Sequence, residues 1–223
     1  MEKYPKINII YEDNHILVVE KPINIPVQED STKDIDLLTI LKKHLKEKYN
    51  KPGNVYLGLV HRLDRPVGGI MVFAKTSKAA SRLSKSITTN DFHKIYYAVV
   101  NGNLKKEDKL VDYLKKEPKT NMSYVTNSKE GKLSILTYNL VAKKDNLNLV
   151  KINLLTGRSH QIRVQFASRN NPLVGDQKYN TKEKSNTQIA LFAQSITFPH
   201  PITKELLTYT LPLPNRYPFN IFK

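Results

Sequence analysis

The sequence predicts an α+β fold whose main element is a largely antiparallel sheet. Short apolar runs bounded by polar turns dominate the chain, and such runs are typical of strands. About three segments instead carry apolar residues at spacings of three and four, which is typical of helices. Strands and helices do not alternate regularly, and no glycine- and serine-rich linker interrupts the 223 residues. We therefore expect a single domain over residues 1–223.

The first half of the chain is predicted to form three strands and two helices. The strands are expected at residues 7–11, 16–20 and 69–74. Residues 36–48 carry leucine and isoleucine at helical spacing, which predicts the first helix. A second helix is predicted after Thr76 or Ser77, because a hydroxyl side chain at that point can cap a helix.

The second half of the chain is predicted to be richer in strands. These are expected at residues 94–102, 122–126, 134–143, 147–155, 188–198 and 205–211. Between them, Gly157-Arg-Ser159 is typical of a helix start, with Ile162 and Phe166 one turn apart on one face. The stretch that contains Lys105, Lys106, Lys115 and Lys116 is rich in charge, and we interpret it as a solvated, loop-like surface.

Composition excludes several classes of protein. The chain has no cysteine, which excludes disulfide scaffolds, thiolate metal sites and cysteine nucleophiles. Residues 1–6 are charged and lack the apolar block of a signal peptide. The apolar runs are too short to span a bilayer. We therefore expect a soluble, cytoplasmic protein without a membrane partner.

The charge balance favours a polyanionic partner. Lysine and arginine number 36 against 20 acidic residues, which gives a net charge of +16. Nucleic acid is the usual partner of such a chain, although a lysine-rich proteome would produce the same excess. Only seven of the basic residues are arginine, and five of these fall in two short segments: Arg62, Arg65, Arg158, Arg163 and Arg169. This concentration indicates bidentate binding of carboxylate or phosphate.

The first of these segments, His61-Arg-Leu-Asp-Arg65, lies between two apolar runs. Pro66 and the following glycines predict a shaped turn rather than a regular element. The carboxylate of Asp64 is expected to stay ionised, because neighbouring positive charge favours its charged form. The segment is either a reactive site or a salt-bridged loop that fixes a turn.

Two further segments have a chemical interpretation beside a structural one. Residues 156–163 combine a small turn, a hydroxyl and basic groups, as anion-binding helix starts do, but an ordinary capped helix would look the same. On the strand at 94–102, Lys94 and Tyr96 share one face. The tyrosine ring could stack on a nucleobase, or it could belong to the core with the lysine beside it.

Taken together, these segments resemble the RluA-type family of RNA pseudouridine synthases. The matching motifs are His61-Arg-Leu-Asp64, Lys94-x-Tyr96-x-Ala98-x-Val100-x-Gly102 and Leu155-Thr-Gly-Arg-x-His-Gln-Ile-Arg163. Flanking features follow in the family's order, among them Glu12-Asp13, Lys21-Pro22, Asn171–Asp176 with Tyr179, and Phe198-x-His200-Pro201. The resemblance runs from about residue 8 to residue 214 and implies the pseudouridine synthase fold. It implies the catalytic domain alone, without the S4 domain that precedes it in many relatives.

The resemblance implies three catalytic residues. Asp64 would be the catalytic carboxylate, acting as a nucleophile on the ribose or as a base on the sugar. Arg163 would pair with Asp64 and keep it ionised and oriented. Tyr96 would stack on the uracil and assist proton removal in the last step. The reaction would detach uracil, rotate it and rejoin it to the ribose through carbon.

The resemblance also implies the partners of the protein. RNA contacts would come from Arg62, Lys94, Arg158 and His160, with Arg62 helping to hold the target nucleotide out of the stack. The RNA would be ribosomal or transfer RNA, and we expect a monomer. The reaction needs no redox change or external group, so we expect no cofactor. We also expect no metal, because no two of the six histidines have the close helical spacing of a zinc site.

Some positions depart from the family's pattern, and two other functions stay open. Val67-Gly68 stands where relatives commonly show Thr-Ser, Gln165 where many carry histidine, and Phe192 where histidine or tryptophan is common. One alternative is a non-catalytic RNA-binding or assembly factor, which the intact catalytic trio disfavours. The other is a carboxylate-dependent hydrolase, which would need a second acid such as Glu20 or Asp176.

Overall fold

A computed structural model describes residues 4–180 and 186–223. Residues 1–3 lie outside the described residues. They belong to the segment 1–6, which we predicted not to be a signal peptide. The chain divides into two compact units. Unit 1 contains residues 1–93 and 195–211, and unit 2 contains residues 94–194 and 212–223. The single domain over residues 1–223 stays a prediction.

Unit 1 is built on an antiparallel sheet with two helices. Its elements are β1 (Asn8–Glu12), β2 (Ile16–Lys21), α1 (Leu37–Lys48), β3 (Gly58–Leu59), β4 (Gly68–Ala74), α2 (Ser77–Thr88) and β11 (Leu206–Thr210). Strand β2 pairs with β1 on one side and with β4 on the other. The short β3 pairs with the end of β4, and β11 pairs with the end of β10 (Leu191–Pro199). All these pairings are antiparallel.

The predicted elements of unit 1 are confirmed, and their sequences explain them. Every residue of β4 is buried, as its unbroken apolar run predicted. Helix α1 is capped by Asp36, whose carboxylate accepts a hydrogen bond of 3.0 Å from the amide of Thr39. Helix α2 is capped by Thr76, which accepts from the amide of Ala79 at 3.1 Å.

Unit 2 contains an antiparallel sheet in the order β5–β9–β8–β6–β7. The elements are β5 (His93–Asn101), β6 (Glu107–Glu117), β7 (Met122–Thr126), β8 (Lys132–Lys144), β9 (Leu147–Leu154), α3 (Gln161–Ala167) and a 3₁₀ turn (Phe219–Phe222). The fold class is therefore α+β with antiparallel pairing within both units, as predicted. Ile162 and Phe166 of α3 are both buried, which confirms the predicted inner face.

Two predictions for unit 2 are wrong. The stretch around Lys115 is the strand β6, not a loop, although Lys105, Lys106, Lys115 and Lys116 are exposed as expected. Only Leu110 and Leu114 of β6 are buried, and apolar residues four apart do not produce the alternation that marks a strand.

The third helix also begins later than predicted. Helix α3 starts at Gln161 and has seven residues. Its N-cap is His160, which has a left-handed backbone (φ 53°) and makes no capping hydrogen bond with its side chain. Ser159 therefore does not cap the helix, and the predicted helix start at residues 157–159 is wrong. Anion binding by residues 156–163 stays a prediction. Among the described residues, no helix is long and apolar enough to cross a membrane.

Candidate active site

The loop of the first motif connects β3 to β4 in unit 1. Asp64, which is partly exposed, begins a turn that closes with a 2.9 Å hydrogen bond from the amide of Val67 to its carbonyl oxygen. His61 fixes the start of the loop, because its Nε2 accepts a 3.1 Å hydrogen bond from the amide of Val72 on β4. The His61 ring lies 5.3 Å from that of Phe92. Asp64 is thus carried on a short loop held at both ends.

The Lys21 ammonium group clamps this loop from inside the unit. Lys21, at the end of β2, is 1% exposed. Its Nζ donates to the carbonyl oxygens of Arg65 at 2.9 Å and Val67 at 2.8 Å, and to that of Pro22 at 2.9 Å. An ammonium group has three donors, so these carbonyls occupy all of them. Arg65 and Val67 are 44 and 46 residues from Lys21 in the chain, so the clamp joins two distant segments.

The charge of Lys21 is also coupled to that of Asp64. Burial lowers the pKa of Lys21 to about 7, the Asp64 carboxylate acts against this shift, and the Arg65 guanidinium adds to it. Asp64 thus favours the ammonium form of the residue that holds its own loop. Sequence analysis noted Lys21-Pro22 only as a flanking match and gave it no role.

The two arginines of the first motif have different surroundings. Arg65 donates to Asp34, to Thr32 at 3.0 Å and to the carbonyl oxygen of Asn24 at 3.2 Å. It therefore ties the loop to the segment that leads into α1. Arg62 is exposed, and within residues 4–180 and 186–223 no carboxylate forms an ion pair with it. Of the two ligands predicted for the clustered arginines, carboxylate or phosphate, Arg65 binds a carboxylate. Arg62 remains available to a ligand.

In unit 2, β5 carries the residues of the second motif. Tyr96 is 7% exposed and lies opposite Ile152 of β9. Lys94 is on the same face of the strand, and burial lowers its pKa. A Cβ atom on Gly157 would lie 3.2 Å from the Nζ of Lys94. The second and third motifs are therefore in contact, and the glycine of the third motif leaves room for the Lys94 ammonium.

Arg163 of the third motif is buried in a bidentate ion pair with Asp176. Its Nε and Nη2 donate to the two carboxylate oxygens at 2.8 and 2.7 Å, and both side chains are at most 5% exposed. The guanidinium lies 5.1 Å from the ring of Tyr179. Asp176 uses two of the three guanidinium nitrogens and does not engage Nη1. The predicted pairing of Arg163 with Asp64 stays a prediction.

Asp176 is fully occupied as an acceptor, which bears on the hydrolase alternative. Besides Arg163, the amides of Lys178 at 3.0 Å and Tyr179 at 3.2 Å donate to it. All of these donors belong to the chain itself, so Asp176 is engaged in structural contacts. Glu20 accepts from Asn8 at the surface. Neither residue has the environment of a second catalytic acid.

His160 is oriented by a tyrosine. Its Nδ1 lies 2.8 Å from the hydroxyl of Tyr179, which also accepts a 2.7 Å hydrogen bond from the amide of Ser123. A hydroxyl that accepts from an amide can donate its own proton to Nδ1, which leaves the imidazole proton on Nε2. Arg158 is exposed and donates from Nε to the carbonyl oxygen of Leu133 at 3.1 Å.

Gln161 holds the loop of the third motif against β8. Its side-chain oxygen accepts from Thr156 at 2.8 Å and from the amide of Arg158 at 3.1 Å. Its amide group donates to the carbonyl oxygen of Ile135 at 3.1 Å and to Gln165 at 3.0 Å.

Gln165 extends these contacts to a half-buried carboxylate. It donates to Asp112 at 2.7 Å, and Arg169 pairs with the same carboxylate at 2.9 Å. The residue that departs from the family's histidine is thus an internal hydrogen-bond donor. Arg169, like Arg65, binds a carboxylate of its own chain. Across the part of the chain that is described, no three histidine or acidic side chains are grouped so as to hold a metal ion.

The motifs and the fold define a class of RNA-modifying enzyme. A family model described as RNA pseudouridylate synthase matches residues 15–168, well over half of the chain. The chain therefore belongs to this family, whose members are isomerases that convert uridine in RNA to pseudouridine. The resemblance inferred from the motifs is confirmed.

Individual relatives support this assignment. The chain is 34% identical over 217 residues to ribosomal large subunit pseudouridine synthase C of Buchnera aphidicola, covering 92% of this chain and 66% of that protein. It is 33% identical over 228 residues to ribosomal large subunit pseudouridine synthase D of Blochmanniella floridana, covering 93% and 70%. The chain thus spans about two thirds of the length of these curated relatives.

Solved structures support the fold. The structure of human RNA pseudouridylate synthase domain containing 1 matches with a TM-score of 0.77, and the match covers 97% of this chain and 88% of that one. The identity is 22%, so the likeness concerns the fold alone. The predicted pseudouridine synthase fold is confirmed.

Proposed function

We propose that this protein isomerises specific uridines in ribosomal or transfer RNA to pseudouridine, with Asp64 as the catalytic carboxylate. The observation that carries the proposal is the position of Asp64. It is a partly exposed carboxylate on a turn whose backbone is held by the buried ammonium of Lys21. A catalytic group must be held in one geometry to act in the transition state, and such a clamp meets this requirement.

The proposed reaction divides between the residues of the motifs. Asp64 attacks the ribose or removes a proton from it while the bond from carbon to the uracil nitrogen breaks. A carboxylate suits a sugar carbon that develops positive charge. The uracil turns and its C5 bonds to the ribose carbon, which breaks the bond from that carbon to Asp64 or, if Asp64 acted as a base, is accompanied by return of its proton to the sugar. The proton on C5 must then leave. We assign stacking on the uracil and help with this last proton transfer to Tyr96.

We propose that Arg163 forms an ion pair with the Asp64 carboxylate and orients it. Its Nε and Nη2 are fixed by Asp176, which sets the plane of the guanidinium and directs Nη1. A guanidinium fixed in this way can act on a second carboxylate without a further loss of side-chain entropy. The ion pair with Asp176 therefore supports a role for Arg163 as an oriented partner of the catalytic carboxylate.

RNA contacts are proposed for Arg62, Lys94, Arg158 and His160. Arg62 and Arg158 are the two exposed arginines of the motifs. We assign to Arg62 the holding of the target nucleotide outside the stack. Lys94 and His160 would meet phosphate through an ammonium next to Gly157 and an imidazole N–H. A monomer in the cytoplasm that works without a cofactor is part of the same proposal.

The names of the relatives favour ribosomal RNA as the substrate. Those proteins are named as synthases of the large ribosomal subunit. The test is to map pseudouridine in total cellular RNA from cells with and without this gene. We expect one or a few sites to lose pseudouridine and to regain it when the wild-type gene is restored. A map identical in both strains would oppose the proposal and favour the non-catalytic RNA-binding alternative.

A further inference from the structure

The solvent-facing side of helix α1 in unit 1 forms one wall of a basic cleft. Lys42, Lys43 and Lys46 line it together with the loop residues 53–55, and its volume is about 440 Å³. The opposite side of the helix is packed into the core through Leu37, Ile40, Leu41 and Leu45. The lysines of the cleft therefore face solvent as a group.

The positive charge of this cleft is not balanced within the protein. Within the described ranges 4–180 and 186–223, neither Lys42 nor Lys46 makes a side-chain hydrogen bond or an ion pair. Lys43 lies 3.7 Å from Glu47, and both of these side chains are about half exposed or more. An exposed pair of this kind contributes little to stability. Lys43 also lies over the ring of Tyr4, 4.5 Å from its centre, so the charges without a side-chain partner among the described residues are those of Lys42 and Lys46.

The ion pairs of the lysines around β6 are closer than the pair of Lys43 with Glu47. Lys105 lies 3.2 Å from Asp108, and Lys115 lies 2.9 Å from Glu130. That exposed surface is partly neutralised by its own carboxylates. Attraction to the negative end of a helix would account for Lys46 in the last turn of α1, but not for Lys42 and Lys43 in the middle.

Exposed aromatic rings extend the same surface. Tyr49, directly after α1, is 46% exposed, and the ammonium groups of Lys48, Lys51 and Lys75 lie 5.4, 5.8 and 5.0 Å from its ring centre. Lys48 and Lys75 also pair with the Glu12 carboxylate at 2.6 and 2.7 Å, and the Tyr49 hydroxyl donates to it at 2.7 Å. Tyr56, just beyond the cleft loop, is 49% exposed. Lysines that meet phosphates next to rings that stack on bases are the combination used to bind single-stranded RNA.

We propose that this surface, the α1 cleft, binds the phosphate backbone of the RNA substrate at a distance from the reacting nucleotide. The inference rests on the proposed function, because it takes RNA as the substrate. Both the cleft and the Asp64 loop belong to unit 1. Arg65 ties that loop to residues 24–34, which lead into α1. The cleft therefore keeps a fixed position relative to Asp64 and can set the register of the RNA.

The test compares two triple variants with the wild-type protein. Lys42→Gln, Lys43→Gln and Lys46→Gln remove the charge of the cleft. Lys105→Gln, Lys106→Gln and Lys116→Gln remove the same number of exposed charges on unit 2 and serve as the control. The probe is a fluorescent oligouridylate of about 16 nucleotides, and its affinity is measured by anisotropy between about 50 and 200 mM salt. The substituted side chains are exposed except that of Lys42, which is half-buried, and we expect the melting temperature of both variants to match the wild type.

Each lysine that neutralises a phosphate contributes about 0.7 to the slope of log affinity against log salt for a single strand. We therefore expect the cleft variant to lose about 2 units of slope and the control variant to change by less than half of that. Equal slopes in wild type and cleft variant, or an equal loss in both variants, would overturn the inference. The measurement needs no turnover. A wild-type protein that binds with the cleft-dependent slope but forms no pseudouridine would therefore contradict the proposed function and leave the α1 cleft standing.

Discussion

At the scale of single residues, Tyr96 separates two chemical roles. We expect Tyr96→Phe to bind RNA nearly as well as wild type, because phenylalanine keeps the ring face that stacks on a base. We expect turnover to fall steeply, because the hydroxyl that assists proton removal is gone. Tyr97 occupies the other face of β5 and cannot replace it.

RNA that carries 5-fluorouridine at the target site reports these steps separately. Mass spectrometry would follow the covalent adduct and the rearranged product. A Phe variant with full turnover would reduce Tyr96 to a stacking residue. A variant that no longer bound RNA would contradict both assigned roles.

Lys21 gives a second residue-scale prediction, which concerns pH. Its folded pKa of about 7 lies below its ordinary value of 10.5, so between these values the unfolded chain binds more protons than the folded one. The free energy of unfolding should therefore rise with pH in this window, because the penalty for burying the ammonium is present below pH about 7 and disappears toward pH about 10.5.

Lys21→Met should remove this contribution and should also weaken the loop. The three carbonyl groups would lose their donor, at a cost of roughly 1–3 kcal/mol for each one that remains buried. Urea unfolding at pH about 7 and about 9 checks both effects. Wild-type and Met proteins with parallel pH profiles would show that Lys21 does not titrate in this range, and Lys116→Met at the surface provides the control.

Single residues also show where sequence reasoning stops. The motifs identified Asp64, Tyr96 and Arg163 as candidates, but they could not identify Lys21 as the clamp, because two of its three acceptors are more than forty residues away. They could not identify Asp176 as the partner of Arg163 either, because the two residues, 13 apart, meet only through the turn that follows α3. Such contacts depend on the completed fold, and a single sequence carries no local signal for them.

At the scale of elements, the ion pair between α3 and the Asp176 turn is a structural unit. Arg163→Met would leave Asp176 buried without its partner, which typically costs roughly 3–5 kcal/mol. We expect Asp176→Asn to be destabilising as well, because the buried guanidinium of Arg163 would lose the charge of its bidentate partner. Thermal unfolding of both variants measures this, and an unchanged melting temperature in either one would contradict the ion pair.

The accuracy of the element predictions follows the strength of their patterns. Strands β2 and β4 are long apolar runs and helices α1 and α2 have side-chain caps, so each could be predicted close to its bounds. Strand β6 could not be predicted from its own apolar residues, because backbone pairing with β7 and β8 holds it in place. Helix α3 was predicted too early, because the turn before it depends on Gln161 and on the left-handed backbone of His160.

At the scale of the whole molecule, the net charge of +16 predicts RNA binding that weakens with salt. The arginines of the motif segments are not expected to contribute equally to RNA binding. Arg65, Arg163 and Arg169 bind carboxylates of the chain, while Arg62 and Arg158 are exposed and form no such pair among the described residues. We expect Arg62→Gln to weaken RNA binding more than a single Gln change at Lys105, Lys106, Lys115 or Lys116. Filter binding over a range of salt concentrations checks this. Equal losses would mean that the exposed arginines have no special part in binding.

The central claim is that Asp64 performs the isomerisation, and one measurement tests it most directly. Asp64→Asn is nearly isosteric but can act neither as a nucleophile nor as a base. RNA binding is spread over many phosphate contacts and should stay close to the wild-type affinity. Wild-type and Asn proteins would be incubated with RNA from cells lacking the gene, and pseudouridine would be quantified at the sites that the wild type modifies. The account predicts full modification by the wild type and none by the Asn variant at equal RNA binding; modification by the Asn variant at the wild-type rate would contradict it.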